Sequence, residues 1–490
     1  MNPHRIVVVG GGISGLATAF RLSELSRAQG MPISISVLEA QERFGGVIET
    51  AVQDEVLYES GPDAFLSEKP WAMALCDRLG IADQLIETNA RNRRSFLVQH
   101  GRLIPVPAGW YLIAPGRLST LFGTSLLSWP GKLRMALEPW IPARRDTSDE
   151  SVGQFIRRRF GQEALERIGQ PMIGGIYTAD PEQLSLHATM PTLAEMERVH
   201  GSVIKALSAR RQQSTENTTT ASGPRYSLFV TLRGGMQTLI EALSTRLQRD
   251  GVILRQRAVV ARITRGDVWT IMVNHRETLE ADSLCIALPA PQAALLIEPI
   301  DPVISQALMT IPYESVATVN CVFRRSDVAH PLDGFGMVVP SLERRSFVGC
   351  TFSSVKFPGR AAEGAVLLRA FVGGAMHRDI MALDDVAMER VVLEDVRDLL
   401  GIRDTPQAVR IRRFSHAMPQ YRVGHLDRIA AIEARLRESR GLYLTGNGYR
   451  GIGIPDCIHQ AEGVAEQMIA RVRAISHHTV LAAAPSTVGA

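Results

Sequence analysis

The clearest pattern of apolar positions lies at the start of the chain. Ile6–Val9 is a short run of aliphatic, mostly β-branched residues, which predicts a buried strand. Glycines follow it at once, and Ile33–Leu38 predicts a second strand. Between the two, apolar residues recur at roughly helical spacing, at Ile13, Leu16, Ala17, Phe20 and Leu25. The pattern therefore predicts a strand, a glycine turn, a helix and a strand in that order.

The turn between the first strand and the helix has the spacing G-x-G-x-x-G. Its six residues are Gly10, Gly11, Gly12, Ile13, Ser14 and Gly15. Gly10 permits the tight turn, Gly12 lets the backbone approach a pyrophosphate, and Gly15 lets helix and strand pack closely. The helix N-terminus offers free N–H groups and partial positive charge to the phosphates. With a strand before it and a helix after it, the motif predicts dinucleotide binding.

Two features after the second strand narrow the choice of dinucleotide. Glu39 ends this strand and is placed to accept a hydrogen bond from a ribose hydroxyl, which disfavours the 2′-phosphate of NADP. Arg43, Phe44, Gly45 and Gly46 then form a second glycine turn that carries a cation. This second turn resembles the flavin-binding start of the amine-oxidase-like flavoproteins, and that resemblance implies FAD and not NAD.

The rest of the chain alternates between helical and strand-like stretches. Residues 71–88 predict a helix broken at Gly80, and residues 96–107 predict a hairpin with His100-Gly101 as its turn. Residues 108–200 lack strand alternation and predict helices. Later strands are expected within 252–285, 313–323, 335–375 and the start of 442–468, where a glycine turn and a helix follow.

A chain of 490 residues is long for one core, so two or more domains are expected. The polar stretch 210–227 predicts a mobile loop, and the small, polar residues 476–490 predict disorder. The predicted division is a dinucleotide-binding domain in three parts (1–90, 226–288 and 411–475), a helical domain (91–225), a further domain rich in strands (289–410) and a disordered tail (476–490).

Composition describes a folded, soluble protein, with 45% hydrophobic and 21% charged residues. The net charge of +4 and the pI of 8.9 suit an anionic ligand or a membrane surface, and equally a mixed solvated surface. We expect no nucleic-acid partner. No run reaches the roughly 18 apolar residues of a membrane span. Because the N-terminus enters a core strand at once, no signal peptide is expected, and a cytoplasmic protein is predicted.

The cysteines point to the same compartment. They are five in number and follow no C-x-x-C pattern: Cys76, Cys285, Cys321, Cys350 and Cys457. An odd, unpatterned set indicates reduced thiols and no metal site. The sequence also contains no H-E-x-x-H, Walker A or nucleophile-elbow motif.

Eight segments together resemble the flavin-dependent porphyrinogen oxidases of haem biosynthesis, the protoporphyrinogen/coproporphyrinogen oxidase family. The resemblance covers nearly all of residues 4–470 and is carried by GGGISG (10–15), ERFGGVI (42–48), ESGPDAF (59–65), TLRGGM (231–236), DGFGMVVP (333–340), RAFVGGAM (369–376), MPQYRVGH (418–425) and YLTGNGYRGIGIPDCI (443–458). The first two are shared with amine oxidases. The combination of GFG-x-x-VP, PQY-x-x-GH and GIGIPDCI is much more specific to this family.

The resemblance implies an α/β fold of the amine-oxidase type. A Rossmann-like FAD-binding domain would carry an inserted mixed-sheet substrate domain and a helical domain, which in some members touches the membrane. The implied oxidoreductase removes hydride from the meso bridges of a porphyrinogen in three rounds, and oxygen reoxidises the flavin. Because the flavin does the chemistry, the protein orients the substrate and excludes water, and no catalytic side chain is expected.

Further cofactor residues are implied by the motifs. Arg43, Gly46 and Val47 would flank the cofactor, and Gly61, Pro62, Asp63 and Ala64 would lie near the flavin ring. Val259 resembles a strand valine whose backbone meets the adenine. Asn447, Ile452, Gly453 and Ile454 lie at the closing helix, whose N-terminus can face the flavin.

The resemblance also implies an apolar clamp around the tetrapyrrole, formed by Phe335, Gly336, Val338 and Phe371. Substrate propionates need cations, since a buried carboxylate without a partner is costly. Family members often carry an arginine immediately before the aromatic residue that begins the hairpin, but Ser95 holds that position here. Arg94 is the candidate in its place and Arg91 the alternative. A shift of one residue reverses a strand side chain's direction, so the substitution is not conservative.

Other interpretations stay open. An amine oxidase or carotenoid desaturase shares the flavin motifs, although an amine oxidase would show an aromatic cage where this chain has Tyr449 alone. Rab GDP-dissociation inhibitors share the fold and bind lipidated proteins, without using flavin. The substrate, coproporphyrinogen III or protoporphyrinogen IX, is undecided. The same holds for peripheral contact at the inner membrane face, and for hand-over to ferrochelatase or another haem-pathway enzyme.

Overall fold

A computed structural model of the chain describes residues 3–213 and 229–483. At its centre is a five-stranded parallel sheet. From edge to edge its strands are Ile253–Arg255, Ile33–Leu38, His4–Val9, Ser283–Ile286 and Leu442–Leu444. They come from three separated parts of the chain.

Both faces of this sheet are covered, because alternate residues of each strand point to opposite sides. One face packs against the helices Ile13–Ala28, Gln237–Arg249 and Ile454–Ala483. The other face packs against the helices Ala290–Ile297, Pro302–Met309 and His425–Leu436 and a small sheet of the strands Val260–Arg265, Trp269–Val273 and Glu277–Ala281.

A second, seven-stranded sheet is mixed. Its strands in order are Ala408–Pro419, Tyr313–Arg324, Ala365–Gly373, Gly349–Phe352, Gly336–Val338, Phe96–Gln99 and Arg102–Pro105. The pairing of Gly336–Val338 with Phe96–Gln99 is parallel, and the other pairings are antiparallel. One face packs against the helix Asp385–Leu400. The other face meets the helical part of the chain and the strand Val56–Glu59; we call it the cleft face.

The helical part follows the hairpin. Its helices are Leu118–Gly123, Trp129–Ala136, Val152–Phe160, Gln162–Ala164, Gln170–Tyr177, Leu186–Thr189, Pro191–His200 and Val203–Gln213. Its core contains a buried ion pair between Glu138 and Arg159, whose side chains are both 0% exposed. Glu138 also accepts hydrogen bonds from the N–H groups of Val203 and Ile204, at 3.0 and 3.2 Å, which begin the last of these helices.

Short elements complete the fold. The remaining strands are Thr50–Gln53 with Val56–Glu59, Phe65–Leu66 and Leu85–Glu87 on either side of Phe229–Leu232, and Trp110–Tyr111 with Ala114–Pro115. The remaining α-helices are Pro70–Leu79 and Ser353–Lys356. A π-helix, Leu165–Gly169, and short 3-10 helices join the longer elements. Within the described ranges, no helix is both long enough and apolar enough to cross a bilayer.

Several boundaries differ from those expected. The stretch after Gly80 is a strand, Leu85–Glu87, and does not continue the helix. The hairpin at 96–105 joins the substrate sheet and not the helical part, because its first strand pairs with Gly336–Val338. The closing helix runs through Ala483, so 476–483 are helical and not disordered. Residues 484–490 of the predicted tail, and 214–227 of the predicted loop, lie outside the described residues.

Candidate functional site

The first glycine turn has the geometry that a dinucleotide requires. Gly10 has a φ of +107°, and a Cβ placed there would lie 2.5 Å from the carbonyl oxygen of Ala287. A Cβ on Gly15 would lie 1.9 Å from the carbonyl oxygen of Gly10. At Gly12, by contrast, a Cβ would meet no atom within 4 Å. The turn is therefore tight where helix and strand meet and open at Gly12, the position predicted to face a pyrophosphate.

Glu39 is held against this turn. Its carboxylate oxygens accept hydrogen bonds from the N–H groups of Gly11, at 2.7 Å, and Gln41, at 2.8 Å. Glu39 is buried, so both bonds lie in a region of low dielectric. The acid is thus fixed beside the glycine turn, where the sequence predicts a ribose, and the residues present fit an FAD.

The second glycine turn packs directly on the first. The N–H of Gly45 donates to the carbonyl of Gly11 at 2.8 Å. The Arg43 guanidinium donates to the carbonyls of Ile48, at 2.8 Å, and Gly46, at 2.6 Å. Arg43 therefore fixes the shape of its own turn. Val47, the next residue, is 41% exposed toward the open side.

The turn Gly61–Ala64, with Gly61, Pro62, Asp63 and Ala64 all partly exposed, lies against this second turn. A Cβ on Gly61 would lie 1.7 Å from the carbonyl oxygen of Val47. From the cleft face, Arg369 donates to the carbonyl of Gly61, and Thr318 donates to that of Ser60 at 3.0 Å. The turn therefore connects the dinucleotide-binding part to the substrate sheet.

Buried charges surround this connection. Lys356 Nζ lies 3.0 Å from Asp63 Oδ2, and the Lys356 and Arg369 cations hold the pKa of Asp63 below its usual value against the opposing effect of burial. Burial raises the pKa of Glu59 to about 7. Arg360 donates to the carbonyl of Leu232 at 2.9 Å, and burial lowers its pKa.

The PQY-x-x-GH motif holds the loop before the closing helix. The Tyr421 hydroxyl donates to the carbonyl of Asn447 at 2.5 Å. The His425 ring stacks on Tyr421, with centroids 4.0 Å apart, and its Nε2 lies 2.8 Å from the carbonyl oxygen of Tyr449. Burial lowers the pKa of His425 to about 4, so the ring is neutral and Nε2 carries the proton that reaches this carbonyl. The motif therefore fixes the conformation of this loop.

The closing helix begins at Ile454, after Ile452 and Gly453. Asp456, in its first turn, lies beneath the glycines, because a Cβ on Gly453 would be 3.0 Å from Asp456 Oδ2. Lys69 pairs with this carboxylate at 2.6 Å. The helix N-terminus therefore presents its N–H groups next to a neutralised acid, and its place beside the flavin remains a prediction.

Val259 lies where its backbone is already paired. Its N–H donates to the Asn274 side-chain oxygen at 2.9 Å, and its carbonyl accepts from the Asn274 N–H at 2.8 Å. The Val259 carbonyl can accept a second hydrogen bond, and the residue is 45% exposed, so its contact with an adenine remains a prediction.

Two residues of the predicted clamp share the cleft face. Val338 packs toward the helical part, where a Cβ on Gly175 would lie 3.0 Å from its Cγ1. Phe371 is two residues after Arg369 in the same strand, so both side chains point to the cleft face. The Arg369 guanidinium carbon lies 4.8 Å from the Phe371 ring centroid.

The other two clamp candidates are held by their backbones. Gly336 has a φ of +152°, and a Cβ there would lie 2.3 Å from the Cys350 carbonyl oxygen. Phe335 is buried, and its N–H donates to the carbonyl of Arg94 at 2.8 Å. Their contact with a substrate remains a prediction.

The propionate candidate, Arg94, lies just before the strand Phe96–Gln99. Arg94 is half exposed, and its guanidinium pairs with Asp333 at 3.1 Å. Ser95 is buried, and its hydroxyl has no hydrogen-bond partner among the described residues. Continuing the alternation of the next strand, Ser95 shares the side of Leu97, which packs toward the cleft face, and Arg94 shares the opposite side.

Lys356, Arg360 and Arg369 were not among the residues predicted from the sequence. The available signal was Arg369 itself, a charged residue in the otherwise apolar strand Ala365–Gly373. Because buried charges are paired or functional, a hydrogen-bond partner is expected for Arg369. Its partners, the carbonyls of Ser60 and Gly61, lie about three hundred residues earlier in the chain.

Comparison with known proteins follows the same direction. The family model described as flavin containing amine oxidoreductase matches residues 13–469. A coproporphyrinogen III oxidase of Bacillus subtilis is 33% identical over 95% of this chain and 97% of its own length. One from Propionibacterium freudenreichii is 35% identical, over 95% of this chain and 90% of that protein.

The solved structures include a similar fold. One is the crystal structure of a proposed protoporphyrinogen oxidase from Exiguobacterium sp. 255-15, which is 29% identical in sequence. Its superposition on this chain has a TM-score of 0.84 and covers 96% of this chain and 100% of that protein. The glycine turns, Glu39 and the three-part sheet are thus accounted for together, and the dinucleotide-binding motif identifies the flavin as FAD. This chain belongs to the flavin-containing amine oxidoreductase family.

Proposed function

We propose that this chain is an FAD-dependent oxidase that converts a porphyrinogen to the porphyrin in haem biosynthesis, with oxygen as the acceptor. The observation that carries the proposal is the cleft face. It presents Val338 and Phe371, and through Arg369 it contacts the Gly61–Ala64 turn expected beneath the flavin. The coproporphyrinogen III oxidases among the relatives support the substrate class.

Bound FAD supplies the redox chemistry by accepting hydride from a bridge carbon of the substrate. The protein's part is placement. Val338 and Phe371 offer apolar surface to the pyrrole rings. The close packing of Gly61 on Val47 fixes the backbone at the base of the site. These groups also exclude water, so hydride transfer takes place in a region of low dielectric.

Coproporphyrinogen III is the substrate we propose over protoporphyrinogen IX. It has four propionates against two, so it needs more cationic or polar partners at the rim of the site. Three arginines, Arg91, Arg93 and Arg94, precede the strand Phe96–Gln99, although Arg94 continues the side opposite the cleft face. The choice is supported by the relatives that are coproporphyrinogen III oxidases. An amine oxidase is disfavoured because Tyr449, the candidate cage residue, is buried in the core.

The direct test is turnover of both porphyrinogens by the FAD-loaded protein in air. We expect porphyrin fluorescence to appear with coproporphyrinogen III, with three molecules of oxygen consumed for each porphyrin formed. Phe371→Ala should lower this rate, whereas Val386→Ala, on the exposed surface of the helix behind the sheet, should not. No oxidation of either porphyrinogen by FAD-loaded protein would refute the proposal.

We also propose a peripheral membrane contact. Trp129, Leu133, Leu137 and Trp140 lie three or four residues apart, along one helix and the turn after it, and are each between 55% and 72% exposed. Exposed apolar stripes with tryptophans suit the interfacial region of a bilayer. The Lys132 ammonium lies 4.7 Å from the Trp129 ring centroid but is buried and donates to the carbonyl of Phe122, so the proposed contact rests on the four apolar side chains.

Sedimentation with anionic phospholipid vesicles tests this contact. Wild type should bind, and the double variant Trp129→Ser/Trp140→Ser should not. The control Val386→Ser, which removes an exposed apolar side chain elsewhere, should bind as wild type does. Absence of wild-type binding would refute it. Binding of a purified ferrochelatase through the same four residues, without vesicles, would assign the stripe to substrate hand-over.

A further inference from the structure

An excess of buried positive charge surrounds the turn Gly61–Ala64. Lys356, Arg360 and Arg369 are all buried. Against them stand Asp63, which these cations keep ionised, and Glu59, whose pKa burial raises to about 7. The cluster is therefore net positive at neutral pH whether or not Glu59 is protonated. Buried charges are costly when they are not neutralised, so an excess of this kind requires an explanation.

Arg369 is the cation of this cluster that has hydrogen-bond donors without a partner among the described residues. Its side chain is 3% exposed, and one of its nitrogens donates to Gly61 and Ser60. Its Nε and Nη1 have no hydrogen-bond partner within the described ranges, and the nearest carboxylate oxygen, on Asp63, lies 3.9 Å from Nη1. Asn320, opposite it in the sheet, is also buried with an unpartnered side-chain oxygen.

A continuous series of contacts leads from the dinucleotide turn to this arginine. A Cβ on Gly46 would lie 3.4 Å from the Cα of Gly12, Val47 follows Gly46, and the Val47 carbonyl touches Gly61. Gly61 in turn accepts the hydrogen bond from Arg369. The positive cluster is therefore connected to both glycine turns through Gly61 and lies on the side of the substrate sheet.

We propose that Lys356 and Arg369 are positioning residues that raise the reduction potential of the bound flavin. This inference rests on the proposed function only in placing the flavin ring beside Gly61–Ala64. Hydride uptake breaks a substrate C–H bond and brings two electrons and one proton to a neutral flavin ring, which thereby gains one negative charge. A fixed positive field in a low-dielectric site favours that charge.

The measurement is the midpoint potential of FAD bound to the whole protein, together with the FAD dissociation constant. Arg369→Met and Lys356→Met should each lower the potential. A tenfold loss of preference for reduced over oxidised flavin corresponds to about 30 mV for a two-electron couple. Asp63→Asn removes a negative charge and should raise the potential. Arg369→Lys keeps the charge and should leave the potential close to that of wild type.

Arg345→Met is the matched control. Arg345 lies beside the same sheet but pairs with Asp395 and Asp398 of the helix on the opposite face, so its loss should not move the potential. An unchanged potential in both Arg369→Met and Lys356→Met, with FAD bound, would overturn this inference and leave the proposed function intact. A wild-type chain that binds no FAD would overturn both. If Arg369→Met does not fold, Lys356→Met and Asp63→Asn decide the question by their opposite signs.

Discussion

The hydroxyl of Tyr421 accepts a hydrogen bond from the N–H of Gly451 at 2.9 Å. The same hydroxyl donates to Asn447, so one side chain holds both ends of the glycine loop that precedes the closing helix. Because His425 stacks on the Tyr421 ring and reaches Tyr449, the loop is held from two sides.

Removing this hydroxyl should loosen the loop without removing any apolar packing. Tyr421→Phe loses two hydrogen bonds in a buried site, each contributing about 0.5–1.5 kcal/mol. We expect FAD affinity to fall by about tenfold, measured by quenching of flavin fluorescence. Tyr443→Phe, in the neighbouring strand, is the control and should bind FAD as wild type does. Equal FAD affinity in Tyr421→Phe and wild type would show that the hydrogen bonds of the Tyr421 hydroxyl do not support cofactor binding.

The buried pair of Glu138 and Arg159 predicts a large effect on stability. Breaking a buried ion pair by removing one partner leaves an unpaired charge and costs about 3–5 kcal/mol. Arg159→Met should therefore lower the urea midpoint of unfolding strongly, whereas Arg198→Met, which breaks the exposed pair with Glu195, should change it little. If both variants unfold at the same urea concentration, the pair is not a determinant of stability.

Glu59 predicts a pH dependence of stability with a definite sign. Its pKa in the folded protein, about 7, lies above its ordinary value of 4.5, because burial disfavours the charged form. The protonated form therefore stabilises the fold below about pH 4.5, and this contribution is lost as the pH rises through about 7.

Comparison with Glu59→Gln isolates this contribution. The free energy of unfolding of wild type, relative to the variant, should fall by about 3 kcal/mol between pH 4.5 and pH 7. Urea unfolding at several pH values measures it. Parallel curves for the two proteins over this range would show that Glu59 titrates normally.

Arg94 and Asp333 predict opposite effects on substrate binding. If Arg94 binds a propionate, Arg94→Ala should raise KM by about tenfold or more, since a charge-assisted hydrogen bond contributes about 1.5–3 kcal/mol. Asp333→Asn should lower KM, because it releases the guanidinium from its ion pair. Steady-state kinetics with coproporphyrinogen III measures both. An unchanged KM in Arg94→Ala would exclude Arg94 and direct attention to Arg91.

The sequence was informative where the chemistry is local. The spacing of Gly10, Gly12 and Gly15 between a strand and a helix predicts a turn that the structure contains, because the contacts it needs are within a few residues. The hairpin turn at His100-Gly101 is confirmed for the same reason, with both residues at positive φ.

Features that depend on distant pairing could not be predicted. The partners of Arg369 and Lys356 lie in the turn after Glu59, and only the folded sheet brings them together. The pairing of Val259 with Asn274 likewise depends on how a hairpin aligns. The parallel pairing of Phe96–Gln99 is equally invisible in a pattern of apolar residues, which is why its hairpin was assigned to the wrong domain.

The most direct test of the central claim is anaerobic reduction of the bound flavin by a single substrate. Purified, FAD-loaded protein is mixed with coproporphyrinogen III or protoporphyrinogen IX in the absence of oxygen, and the flavin absorbance is followed. We predict rapid bleaching by coproporphyrinogen III and slower bleaching by protoporphyrinogen IX. Bleaching by neither porphyrinogen, with FAD bound, would contradict the claim and direct the search to amines and carotenoids.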